Sequence, residues 1–80
     1  MKGKKRKLSK ILKRNGYKPS DAIYIGDEVR DVLACKAISL EVIAVTWGFE
    51  TKSILEKSNP NYIVDSVDEL SELLLDEHEN

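Results

Sequence analysis

Three short apolar runs, Ala22–Ile25, Val42–Val45 and Tyr62–Val64, begin 20 residues apart along an 80-residue chain. None alternates apolar with polar residues, which is how a strand with one wet face reads. Each therefore suits a strand covered on both sides. The stretches between them carry helical spacing instead. Leu8, Ile11 and Leu12 stand at i, i+3 and i+4 and predict an amphipathic helix over Lys4–Arg14, closed by Gly16 with Pro19 beyond it. Val29, Val32, Leu33 and Ala37 predict a second helix after Glu28, and Thr51–Lys57 a third, ended by Ser58-Asn59-Pro60-Asn61. Ser66-Val67-Asp68-Glu69 has the capping-box pattern and opens a fourth, with Val67, Leu70, Leu73 and Leu74 turned inward and a tail from Asp76 expected to fray. Such alternation predicts an α/β fold: three short parallel strands with four flanking helices, in one domain over residues 1–80.

Composition narrows the function classes. Apolar residues make up 41% and charged residues 34%, an ordinary globular balance. No apolar run approaches the roughly 20 residues needed to span a bilayer. A lone cysteine, Cys35, excludes an internal disulfide and a cysteine-based zinc site, so a reducing, cytoplasmic setting is expected. The net charge of −1 conceals an asymmetry. Met1–Arg14 holds eight basic residues and no acid, whereas Asp65–Asn80 holds seven acids and neither Lys nor Arg. That polarity suits an anionic partner at one end, or two solvated helix faces attracting one another. The overall balance makes nucleic acid an unlikely partner.

The most informative junction is Ala22-Ile-Tyr-Ile-Gly-Asp-Glu-Val-Arg-Asp31. In an open parallel sheet, ligands bind beyond the carboxyl ends of the strands, and Asp27 and Asp31 stand there after the first strand. Glu28 adds a third carboxylate. Converging carboxylates suit a hard cation such as Mg²⁺, which is usually held by one or two of them with water and substrate phosphate. The same residues also suit a helix start, with Asp27 as its cap and the acids favoured by the helix dipole. Both readings stay open on the residues alone.

Three segments, Ile23–Ala37 (IYIGDEVRDVLACKA), Val42–Thr51 (VIAVTWGFET) and Asn59–Leu70 (NPNYIVDSVDEL), together resemble the C-terminal half of a haloacid-dehalogenase-like (HAD) phosphatase of the phosphoglycolate-phosphatase-like group. The resemblance implies a Rossmann-like fold and a Mg²⁺-dependent hydrolase of phosphomonoesters, acting on a phosphorylated small molecule. It implies that Asp27 is the direct metal ligand and that Asp31 supports the metal, through water or the catalytic lysine. The family's lysine motif falls on Lys2, where a cation would steady the phosphoryl group. Thr46-Trp47-Gly48-Phe49 matches a loop near the active-site edge, with aromatics expected to pack rather than touch substrate.

The sequence departs from the family pattern in one decisive respect. It contains no Asp-x-Asp-x-Thr/Val, the motif that supplies nucleophile and general acid, and no counterpart to the Ser/Thr motif. Without a nucleophile the covalent phosphoenzyme route is closed, so this chain is expected to be inactive alone. Ser39 stands where a glycine often ends the helix, at the cost of a left-handed residue or with a different turn. The resemblance also implies an open sheet edge at Ala22–Ile25, beside the missing nucleophile strand, and hence a homodimer through that edge. The competing reading is a small interaction module using the basic N-terminal helix on an anionic partner. A receiver-type fold is disfavoured because VIAVTWGF offers no acceptor aspartate.

Overall fold

A computed structural model describes the backbone of residues 2–79 and the side chains of residues 3–76. Seven elements alternate along it: α1 (Lys2–Arg14), β1 (Ile23–Gly26), α2 (Val29–Ala37), β2 (Glu41–Val45), α3 (Lys52–Lys57), β3 (Tyr62–Val64) and α4 (Val67–Glu79). A 3₁₀ turn at Pro19–Asp21, unforeseen in the sequence, leads into β1. Pro19 fixes its φ, and the Asp21 carboxylate accepts from the Lys18 amide at 2.9 Å. The α4 helix runs past Asp76 to Glu79, and Asn80 lies outside the described residues.

The strands form one parallel sheet in the order β1-β2-β3. Ile25 pairs with Ile43, and Ala44 with Ile63. Side chains that alternate along the strands build two cores. On one face Val42 and Ala44 meet Val32 and Cys35 of α2, Leu55 of α3, and Leu8 and Leu12 of α1. On the other, Ile43, Val45 and Val64 meet Leu70, Leu73 and Leu74 of α4. The basic α1 and acidic α4 thus pack on opposite faces of the sheet. Val42, Ile43 and Ala44 are wholly inaccessible, as a strand covered on both sides should be.

Four expected inward residues point outward instead. Ile11 is 55% exposed, Leu33 55% and Val67 63%, and the loop residue Phe49 is 74% exposed. The helical stripes are narrower than the periodicity suggests, because each helix meets one flat sheet face and only its central row is covered.

Helix ends are closed by local chemistry. In α2 the Leu40 amide donates to the Cys35 carbonyl at 2.8 Å and the Ser39 amide to that of Lys36 at 3.2 Å. This is a Schellman closure, with Ser39 in the left-handed conformation at φ 59. Of the two outcomes foreseen for Ser39, the strained one is adopted. At α4 the Ser66 hydroxyl accepts from the Glu69 amide at 3.1 Å, as the capping box requires. Glu69 reaches one residue further back than the standard box, to the Asp65 amide at 2.8 Å.

Candidate metal centre

The carboxyl end of β1 presents Asp27, Glu28 and Asp31, which offer oxygens within 4.8 Å of one another. The turn resolves the ambiguity about the helix start. Glu28, with φ −128 and ψ 149, is the N-cap of α2, and Asp27 lies outside the helix. Asp31 occupies the third helical position and takes up the capping bond, accepting from the Glu28 amide at 3.2 Å through Oδ2.

Asp31 is 3% exposed, the one buried charged residue among those described. A buried carboxylate needs a partner, and Lys4 of α1 supplies it, with Nζ 2.9 Å from Oδ1. The Tyr24 hydroxyl makes a longer contact of 3.5 Å to the same oxygen. The bond to Asp31 and its negative charge raise the Lys4 pKa above the ordinary lysine value. Burial, followed by the charge of Asp31, raises that of Tyr24. Burial first and Asp31 second push the Cys35 thiol up to about 11. A thiol held neutral in this way is a packing group, not a nucleophile.

Asp27 is held differently. Its Oδ2 accepts from the Phe49 amide at 3.0 Å, and its carbonyl accepts from the Glu50 amide at 3.1 Å. The loop after β2 thereby grips the turn after β1. Gly48 makes the grip possible, since a β-carbon there would overlap the Asp27 side chain. Gly26 does the same for the other acid, a β-carbon there falling 2.8 Å from the Asp31 Oδ2. Each carboxylate therefore sits in a notch opened by a missing side chain. Glu28 turns its Oε1 to Arg30, 3.0 Å away.

Asp65 directly follows β3 and has no functional role in the sequence reading. It ties the strand ends together, accepting from the Thr46 hydroxyl at 2.9 Å and from Lys52 at 3.0 Å. Lys52 and then Thr46 hold its carboxyl below the ordinary carboxylate range.

The structure brings Asp27 and Asp31 together at one strand end. The side chain of Lys2 lies outside the described residues, and the lysine seen at the acids is Lys4. Helical spacing carries a signal for it. Lys4, Leu8 and Leu12 form one i, i+4 row, so Lys4 stands on the inward stripe one turn before the core begins. The aromatics of the β2–α3 loop do not pack as expected: Trp47 is 48% exposed and Phe49 74%, beside the acids.

An all-oxygen, all-carboxylate donor set fits a hard divalent cation such as Mg²⁺ and not a thiophilic metal. Asp27 keeps Oδ1 uncommitted to the described protein donors, whereas both oxygens of Asp31 already accept hydrogen bonds. The geometry thus leaves Asp27 the freer oxygen, while both oxygens of Asp31 are engaged by protein donors.

Comparison with known proteins bears on this arrangement. Residues 2–70 match the family model described as HAD-hydrolase-like. A phosphoglycolate phosphatase of Synechococcus elongatus is 37% identical over 67 residues, 84% of this chain and 32% of its own. A pyrophosphatase, PpaX, of Bacillus cereus is 29% identical over 69 residues, 86% of this chain and 32% of its own. The crystal structure of a predicted phosphatase from Clostridium acetobutylicum superposes with a TM-score of 0.82 at 38% identity, covering 86% of this chain and 32% of that one. The chain spans about a third of the length of these relatives.

Proposed function

The chain belongs to the HAD-hydrolase-like family, and from that premise we propose that it is the metal-holding part of a Mg²⁺-dependent phosphatase acting on a phosphorylated small molecule. One observation carries the reading. Glu28 caps α2, so Asp27 is not needed for the cap, yet its carboxylate is fixed at the strand end by the Phe49 amide. That bond holds one oxygen and leaves Oδ1 without a described protein donor, close to the Glu28 and Asp31 carboxylates.

The geometry supports a division of roles. Asp27 is the direct ligand, through the oxygen the loop leaves open. Asp31 supports the metal from the second row and holds Lys4 in position, so that its ammonium faces the same strand end. A point charge there steadies the oxygens of a phosphoryl group, which carry the developing negative charge in transfer. The bound cation would supply further neutralisation of those oxygens. Lys2 remains open as a second contributor. The relatives are named for phosphoglycolate and for pyrophosphate, and among these we favour a phosphomonoester, because the phosphoglycolate phosphatase is the more similar in sequence.

With no Asp-x-Asp motif in the sequence, this chain is expected to bind the cation weakly and to hydrolyse nothing alone. The test is an amide NMR titration of the labelled chain with MgCl₂, repeated on Asp27→Asn. Shifts confined to Gly26–Asp31 and Phe49, lost in the variant, are the expected result. Unmoved amides at high Mg²⁺ would refute the metal reading, and Mg²⁺-dependent turnover of a generic phosphomonoester would refute inactivity.

A further inference from the structure

Two exposed helix faces remain unexplained by the metal centre. On the outer side of α1, Lys7, Lys10 and Arg14 surround Ile11, at spacings of i, i+3, i+4 and i+7 from Lys7. All four are exposed, and Ile11 is 55% accessible although its neighbours Leu8 and Leu12 are packed. On the outer side of α4, Asp68, Ser71, Glu72 and Leu75 repeat the same spacing, all exposed, with Leu75 at 62%. Among the described residues, the side chains of Lys7, Lys10, Arg14, Asp68 and Glu72 enter no ion pair.

One stripe is thus basic around an aliphatic residue, and the other is acidic beside one. They lie on opposite faces of the sheet, α1 against the Val42 side and α4 against the Ile43 side. No rotation of side chains lets them meet within one molecule. A second copy can present its α4 to this α1, and the same contact then leaves a free stripe of each kind at the two ends of the pair. We propose that this chain self-associates head to tail, the basic stripe of α1 on one copy seating on the acidic stripe of α4 on the next.

The occupant follows from the charges. A polyanion would engage the α1 stripe alone and would leave the acidic stripe of α4 on the opposite face uncovered. A copy of the chain meets both stripes with the opposite sign. Such an interface is heterologous, so it grows beyond dimers unless a ring closes. Exposed ion pairs contribute little each, and the contact is therefore weak and salt-sensitive.

Sedimentation equilibrium of the full chain over a concentration series, at low and high NaCl, reads this directly. Weight-average mass is expected to rise with concentration past that of a dimer at low salt, and to return to the monomer in about 0.5 M salt, where screening is over a few ångströms. Lys10→Glu/Arg14→Glu and Asp68→Lys/Glu72→Lys, each checked for a native amide NMR spectrum, are both expected to be monomeric. The chain carrying all four substitutions is expected to associate again. A wild type that stays monomeric at low salt overturns the proposal. So does association that ignores both charge reversals, an outcome that would assign it to the open β1 edge instead. None of these readings depends on Mg²⁺, so the metal proposal stands or falls separately.

Discussion

The two aspartates of one turn stand four positions apart, yet the fold secures them by different means. Asp31 is buried and held chiefly by side chains, Lys4 and Tyr24, reaching it from two different elements, with the Glu28 amide on its other oxygen. Asp27 is half-exposed and held by the backbone of a loop, through the amides of Phe49 and Glu50. The first arrangement makes the carboxylate part of the core's stability. The second fixes its position while leaving an oxygen for something outside the protein. The two acids therefore carry different burdens, and substitution should separate them.

The largest separation is expected in stability. Asp31→Ala leaves the Tyr24 hydroxyl and the Glu28 amide without their acceptor and strips Lys4 of its partner. That should cost about 2–4 kcal/mol, a large share of what so small a domain has. Asp27→Ala removes one hydrogen bond at the surface and should cost about 1 kcal/mol or less. Urea unfolding followed by circular dichroism measures both. Equal costs would break the comparison, and an Asp27→Ala variant less stable than Asp31→Ala would invert it.

The second separation is in pH. Lys4, Tyr24 and Cys35 surround Asp31, and all three hold their protons more tightly in the folded chain than their ordinary values. Their contribution is intact below the unfolded values and fades as pH rises toward the folded ones. For Cys35 that window runs from 9.0 to about 11. The stability tied to that proton is lost progressively across the window. The melting temperature should fall steeply above pH 9, and Cys35→Ala should flatten the early part of the fall. A flat alkaline limb in the wild type would mean that Asp31's surroundings are wetter than they look. Nothing comparable is expected around Asp27, whose bonds come from amides that do not titrate.

The sequence made the scaffold readable because three continuous apolar runs leave few alternatives to a covered parallel sheet. Each predicted element is present, and the Tyr62–Val64 strand has the expected bounds. It was less able to say which residue of a stripe touches the core, and Ile11 and Val67 show why. Periodicity gives a helix its apolar side, but a flat sheet covers only the middle of it. The site was half legible in the same sense. Gly-Asp-x-x-x-Asp marks the turn, but the division of labour depends on contacts from residues distant in sequence. Lys4 is 27 positions from Asp31 and Phe49 is 22 from Asp27. Asp65 was invisible for the same reason: its partners, Thr46 and Lys52, come from two other elements.

The smallest separation expected is also the most local. A β-carbon on Gly48 would overlap the Asp27 side chain, so Gly48→Ala must move either the loop or the carboxylate. The atoms met include the Asp27 β-carbon, which no rotamer moves away, so the loop's hold on the turn must give, at a cost of about 1–2 kcal/mol. A β-carbon on Gly26 has less freedom, since that residue is buried in β1 against Asp31 and Tyr24, and Gly26→Ala should cost about 2–3 kcal/mol. The informative readout for Gly48→Ala is the Phe49 amide. Its resonance should move and its hydrogen exchange quicken as the bond to Asp27 lengthens, while the Glu28 amide, bonded to Asp31, stays where it was. If both amides move together, the two carboxylates are one coupled unit and not two independent anchors. If neither moves, the Phe49 bond is not what positions Asp27, and the helix turn alone must do so.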